Sequence, residues 1–516
     1  MATVLNGLLF AASHHVPGWV TAVFGAMLVG LILCLAFEEK LHAKKSVIAG
    51  LFAVACLFLA SFWGLLPLDS VVIGSDELIV HEAVEGVAAD YDGTQEEVVV
   101  PHVGEGDTEH GEVEALHVGG HRVHMPVYIP GVEWGVIAII LGSSLFVDVT
   151  SKSGLFTWIA IKVTKLSGGD PLRLLVFYGI MTVVFSAVLN NVTAMIIVGS
   201  LTAVSLAKLD RNENLLSFLL IEGLLTNIGG LLTLISSVPN IIVGSAANIS
   251  FFEFFIKAAP YVVVTTVVTL WMGAKLCKIR SLETAEERAA AALQVANFDE
   301  NDGIESWGFF WFGAAMLVLF ILTIATTSVL PVVSDLEMGF VAIAFAMIML
   351  LRYKHSADEF YRALDWDLIG FFIALFVVIN VMEHAMVLEA IGVVLAKIIG
   401  LGETSGTAAV LLASAAFSSV TDNIPLAAML SRILTSLGTQ INAPPEAADP
   451  LWWAVIFGAN LGGNLTPIGS ASTLVAVTIM HRNKLTLSFA GFIKAAFPYA
   501  VAHIVLAVIY VLLFLG

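Results

Sequence analysis

Charged side chains are scarce in this 516-residue chain. Asp, Glu, Lys and Arg make up 13% of it, against 58% hydrophobic residues and a mean hydropathy of +0.93. A composition this apolar excludes an ordinary soluble domain and fits a polytopic helical membrane protein. Cysteine is nearly absent. Cys34, Cys56 and Cys277 sit in or beside apolar segments, with no spacing for a disulfide framework or a zinc site. Basic residues are few, 23 Lys and Arg against 42 Asp and Glu, so a nucleic-acid partner is excluded. None precedes Lys40, so the positive n-region of a secretory signal is missing and 1–16 reads as a lead-in. Nor is there any Lys or Arg in 174–207, 212–256 or 402–431.

The apolar segments hold an internal repeat. "FSAVLNNVTA" at 185–194 returns as "FSSVTDNIPL" at 417–426, and "LTNIGGLLTLISSVPNII" at 225–242 returns as "GANLGGNLTPIGSASTLV" at 458–475. "FIKAAPYVV" at 255–263 then returns as "FIKAAFPYAV" at 492–501. Three matches in one order indicate one unit used twice. Paired apolar segments interrupted by Gly and Pro at matching positions of two halves point to a transporter's binding site.

A spanning helix needs about 20 apolar residues. Ten spans are expected, at 17–37, 46–66, 134–150, 214–250, 258–274, 307–330, 336–351, 366–385, 451–480 and 495–515. The fourth and ninth are too long for one straight helix and carry Gly, Asn and Pro midway, so they read as broken helices. The apolar stretches before them, 172–207 and 405–437, read as re-entrant hairpins with polar tips. Irregular backbone at this depth is tolerable only against protein or a wet cavity. The expected fold is therefore an all-α polytopic membrane protein. Inverted repeat 1 covers 17–278, a cytoplasmic linker 279–305 and inverted repeat 2 306–516. Five spans per half is an odd number, so the halves are inverted and a site between them lies at the midplane.

Basic residues cluster at Lys40–Lys45, Lys152–Arg173, Lys208–Arg211, Lys275–Arg288, Arg352–Arg362 and Arg482–Lys484, all on one side under this topology, which makes that side cytoplasmic. The chain is then expected in a bacterial inner or plasma membrane with segment 67–130 outside. That segment carries 14 Asp and Glu, one Arg and six His. It reads as a solvated acidic loop or a cation-concentrating vestibule. "EEVVVPHV" and "EALHVGGHRVHMPVYIP" alternate weakly and predict a small β hairpin there.

The hairpin tips offer Asn190, Asn191 and Thr193, and Thr421, Asp422 and Asn423. The broken helices add Thr226, Asn227, Gly229, Gly230, Ser236, Ser237 and Asn240, and from the other half Asn460, Gly462, Gly463, Asn464, Thr466 and Ser470. Amides, hydroxyls and backbone oxygens of this kind suit a hard cation. Small and polar residues also serve plain helix packing, but four such segments in symmetric pairs favour a site. Asp422 is the sharpest single residue, because a carboxylate inside an apolar hairpin is functional by default. It is the expected proton-coupling group, with Glu222, Asp148, Glu383 and His384 as further candidates. Capping of a half-helix is the alternative role for Asp422. Lys257 and Lys494 read as snorkelling anchors. No catalytic constellation, cofactor or fixed metal site is expected.

At these motifs the chain resembles the arsenite permease/sodium–proton antiporter (ArsB/NhaD) branch of the ion-transporter superfamily, over about 134–516. "SGLFTWIAIKVTKLSGGDPLRLL" at 153–175, "TDNIP" at 421–425 and "GANLGGNLTPIGSAS" at 458–472 look most like the subgroup holding the melanosomal P protein. The resemblance implies a homodimer, scaffold and transport domains, and elevator-like motion. Divalent-anion/sodium symporters are more distant relatives. Their Ser-Asn-Thr tips would fall at Leu189-Asn190-Asn191 and Thr421-Asp422-Asn423, and neither keeps the triplet, which counts against a dicarboxylate cargo. The closer relatives often carry Asp-Asn where Asn190-Asn191 stands. The expectation is a secondary active transporter exchanging sodium for protons. An anion or oxyacid permease, of arsenite or a carboxylate, is the alternative, and a non-transporting membrane sensor is a third.

Overall fold

The computed structural model describes residues 16–66, 71–73, 76–79, 115–118, 121–123, 128–129, 131–327, 330, 333–421, 423–440, 449–485 and 487–515. The chain forms two compact units. One is residues 1–65 with 131–516, and the other is 66–130.

The large unit is helical throughout its described residues. Its first repeat runs α1 (Gly18–Ala36), α2 (Glu38–Leu41), α3 (Lys45–Phe62), α4 (Trp134–Ser151), α5 (Leu155–Ser167), α6 (Pro171–Val188), α7 (Asn191–Lys208), α8 (Leu215–Gly229), α9 (Val238–Ala246) and α10 (Phe251–Leu276). The capped helix α11 (Ala285–Ala296) links it to the second. There follow α12 (Trp307–Ala325), α13 (Val333–Leu350), α14 (Ala357–Ala363), α15 (Trp366–His384), α16 (Val387–Ile399), α17 (Glu403–Ser418), α18 (Asn423–Gln440), α19 (Asp449–Gly462), α20 (Ala471–Arg482) and α21 (Phe489–Tyr510).

Among the described residues, ten helices are long and apolar enough to cross a membrane. They include both arms of the first hairpin, α6 and α7, and they leave out the halves of the two broken spans, each too short alone. The breaks have local causes. After α8 the chain is extended at Thr233 and Ser237, and α9 starts with Pro239 in its first turn, where a proline's missing N–H costs nothing. Asp170 caps α6 by accepting from the Arg173 N–H, with Pro171 at the first helical position. Helices α5 and α16, which precede the hairpins at matching places, fall outside the expected spans and hairpins.

The two repeats exchange elements. Helix α4 packs along α13, and α15 along α3, so the third span of each repeat lies on the second span of the other. The approach of α4 to α13 is close: a methyl group on Gly142 would come within 2.5 Å of the Ala342 carbonyl carbon. The second half of each broken helix also crosses over. Helix α9 packs on α18 and α19, while α20 packs on α7 and α8. Small residues at crossings let helices close in lipid, where no hydrophobic gain separates helix from solvent.

In the unit 66–130 the four strands are β1 (Val71–Ile73), β2 (Asp76–Ile79), β3 (Ala115–Val118) and β4 (His121–Val123). Antiparallel β1–β4 and β2–β3 share one register, from Val71 opposite Val123 to Ile79 opposite Ala115. The stretch at 115–123 pairs with 71–79, and "EEVVVPHV" of the expected hairpin lies outside the described residues.

Candidate functional site

Each hairpin is tied to the broken helix of its own repeat by the same bonds. In the first, the Ser186 hydroxyl donates to the Thr226 carbonyl at 2.6 Å and Thr233 donates to the Ala187 carbonyl at 2.5 Å. In the second, Ser418 donates to the Ala459 carbonyl at 2.5 Å and Thr466 to the Ser419 carbonyl at 2.5 Å. These four hydroxyls stand at equivalent places of the repeated motifs. Gly229 and Gly462 are equivalent too, and each admits its hairpin without room for a side chain. A methyl group would meet the Val183 carbonyl oxygen at 2.6 Å at the first and the Ala415 carbonyl oxygen at 2.3 Å at the second.

The broken helices then bond to each other across the repeats. Asn227 donates its amide to Asn464 Oδ1 at 2.8 Å, and its own Oδ1 accepts from Ser470 and Ser472, each at 3.0 Å. Asn460 donates to Asn240 Oδ1 at 2.8 Å and accepts from Ser237 at 2.7 Å. Asn240 in turn donates to the Gly230 and Thr233 carbonyls at 2.6 and 3.0 Å, and Ser236 also donates to the Gly230 carbonyl, at 2.6 Å. All of these side chains are buried, and all are satisfied, as buried amides must be.

Beside this network lies a cavity of 680 Å³. Four helices begin at its wall. Asn190 to Thr193 bring the first turn of α7, Ser237 to Pro239 that of α9, Asn423 and Ile424 that of α18, and Ser470 to Ser472 that of α20. Asn190 caps α7 by accepting from the Thr193 N–H at 2.8 Å, and Ser470 caps α20. First-turn N–H groups have no partner inside their helix, and each N-terminus carries roughly half a positive charge. Toward solvent the wall changes to Asp148 and Lys152 at the C-terminal end of α4, with Glu359 and Asp365.

Of the residues anticipated from sequence, Asn190, Asn191, Thr193, Asn227, Ser236, Asn423, Ser470 and Asp148 line the cavity. Asn240, Asn460, Asn464 and Thr466 stand behind it as the supporting network. Thr421 donates to the Phe417 carbonyl at 2.9 Å within its own hairpin. Asp422 lies outside the described residues. Glu222 is fully buried away from the wall; Thr202 donates to its Oε1 at 2.7 Å, and its Oε2 has no partner among the described residues. Glu383 faces Arg432 at 4.0 Å, and His384 Nδ1 bonds the Asn380 carbonyl at 2.8 Å, so neither reaches the cavity. Sequence reasoning missed Lys152, Ser472 and His503. Ser186 and Ser418 were inside the quoted repeats and could have been found from their equivalence.

A family profile described as citrate transporter (CitMHS) matches residues 115–458. An uncharacterised transporter of Mycobacterium tuberculosis is 30% identical over 381 residues, 74% of this chain and 86% of that protein. The human P protein is 26% identical over 476 residues, covering 77% of this chain and 55% of its own length. Among solved structures, the YdaH transporter of Alcanivorax borkumensis superposes with a TM-score of 0.56 at 10% identity, over 92% of this chain and 98% of that one. At that identity the likeness concerns the fold alone.

Proposed function

The chain belongs to the citrate transporter (CitMHS) family of membrane transporters, and on that footing we propose that it carries a small carboxylate anion of the citrate class. One observation carries the reading: four helix N-termini, two from each repeat, converge on a single cavity. Together they present about two positive charges' worth of dipole, with no Lys or Arg in 174–207 or 402–431 around the hairpin tips. Discontinuous helices in transporters address anionic groups in this way. The missing Ser-Asn-Thr triplets do not weigh against this, because backbone N–H groups bind anions whatever their side chains. Lys152 adds one cation at the cavity wall.

Cation/proton exchange is the second reading. Asp148 and the exposed Glu359 and Asp365 favour it, since they make the outer wall acidic. The ArsB/NhaD kinship, the cytoplasmic side of Lys152, the homodimer and the elevator motion are parts of the same proposal. The test is uptake in proteoliposomes holding a pH dye. Labelled citrate entering under a proton or sodium gradient supports the carboxylate reading. Sodium-dependent proton efflux with no carboxylate uptake overturns it in favour of exchange. Silence under every gradient overturns both and leaves a sensor.

A further inference from the structure

His503, in the middle of α21, is fully buried and touches both the cross-repeat network and the last helix of the first repeat. Its Nδ1 lies 3.2 Å from Asn464 Nδ2, and its Nε2 lies 2.8 Å from Thr269 Oγ1 on α10. The direction of every bond follows from the ends of the chain. Asn464 Nδ2 also faces the Leu224 carbonyl at 3.3 Å, and a carbonyl only accepts, so this atom is the amide nitrogen. Asn464 Oδ1 accepts from Asn227, which agrees. His503 Nδ1 is therefore an acceptor and bears no proton. At the other end Thr269 donates to the Thr265 carbonyl at 2.7 Å, so its oxygen is free to accept from the Nε2–H. The imidazole is neutral, with its proton on Nε2.

We propose that His503 is the positioning residue of the cavity, holding Asn464, and through it Asn227, only while its Nδ1 is unprotonated. A proton on Nδ1 turns the acceptor into a donor facing the Asn464 amide, and that contact must open. Asn227 Oδ1 is held by Ser470 and Ser472 at the cavity wall, so the change reaches the site two residues away. The repeat supports an acquired role. The equivalent position in the first repeat is Thr265, a buried hydroxyl that does not titrate in this range.

Ionisable groups on the surrounding elements are few. Helix α10 carries Glu253, Lys257, Tyr261 and Lys275, and only Tyr261 bonds His503, donating to its carbonyl at 2.9 Å. Helix α21 itself adds Lys494, Tyr499 and Tyr510. Helix α17 brings Glu403, exposed at its first turn, and α19 has no ionisable residue in 450–462. Helix α8 brings Glu222, which is bonded to Thr202. Helix α20 ends in His481 and Arg482, both exposed.

The test does not depend on knowing the cargo. In a background free of native cysteines, Val192→Cys at the cavity wall is alkylated in proteoliposomes across about pH 3 to 8, a range that spans an exposed and a buried imidazole. Rates are normalised to Leu293→Cys on the surface helix α11, which removes the pH dependence of the reagent. The expected result is a change of about fivefold with one-proton character, the equivalent of one hydrogen bond. His503→Asn, whose side-chain oxygen can replace Nδ1 as an acceptor, gives a flat profile at the neutral-histidine rate. His503→Leu is flat at the opposite level. A titration that persists in His503→Asn, or a flat profile in the native protein, overturns the proposal. Citrate uptake is measured separately on vesicles of the native protein. Its absence with the Val192→Cys titration intact refutes the cargo and leaves the role of His503 standing.

Discussion

The Ser237 hydroxyl, at the start of the broken half-helix α9, donates to Asn460 Oδ1 on α19 at 2.7 Å. The equivalent residues do the reverse: Ser470 of the second repeat donates to Asn227 of the first at 3.0 Å. A serine from each half thus closes on the asparagine of the other. The pairs differ in one respect. Asn227 Oδ1 has a second donor, Ser472, whereas Asn460 Oδ1 accepts from Ser237 alone among the described bonds.

That difference predicts unequal costs. Ser237→Ala leaves a buried amide oxygen unsatisfied and should lower stability by about 1–3 kcal/mol. Ser470→Ala leaves Ser472 in place and should cost about 1 kcal/mol or less from this bond. Thermal melts in detergent read the order, and equal losses would show that the pairs are not independent bridges.

Gly462→Ala and Gly229→Ala should both fail to fold or lose the site, since a methyl group meets a backbone carbonyl at 2.3 and 2.6 Å. Backbone on a packed helix cannot yield as a side-chain tip can. Gly25→Ala on α1, with nothing within 4 Å, is the control and should be neutral. Size-exclusion profiles after membrane extraction distinguish them.

Lys152 and Asp148 predict opposite signs for the two cargo readings. For a carboxylate, Lys152→Gln should raise KM about two- to fivefold and Asp148→Asn should lower it, the modest scale of exposed charge effects. Cation exchange reverses both signs. Uptake kinetics at low and high salt decide, because screening should shrink either effect.

Outside the membrane, Lys162 and Lys165 donate to Glu300 and hold its carboxyl below the usual glutamate range. A depressed folded value stabilises above the unfolded value of 4.5 and is lost as pH falls through the folded one. The linker should therefore keep its docking on α5 at neutral pH and loosen as pH falls below 4.5. Glu300→Gln should loosen it at neutral pH, seen as faster tryptic cleavage at Arg288.

Much of this architecture was legible because the repeat is written in uncommon residues. Asn227, Asn460 and the glycines after them announced two broken helices, and both breaks occur there. The polarity of the cavity was not legible. It depends on which helix ends face it, and side-chain lists favour cations while backbone N–H groups are silent in a sequence. Lys152 was assigned to a basic loop, since only packing brings the end of α4 to the wall. The position equivalent to His503 in the first repeat holds Thr265, so symmetry gave no pointer to it. The partner of 115–123 was not legible, because 71–79 lies some forty residues earlier and has no distinctive β pattern.

The central claim is that a carboxylate sits where four helix N-termini meet. It is tested most directly by cargo protection of Ile196→Cys, which lines the cavity outside the hydrogen-bonded network. Citrate should slow its alkylation in a saturable manner, and sodium alone should not, while Leu293→Cys reacts at one rate throughout. Protection by sodium or lithium with none by citrate would contradict the account.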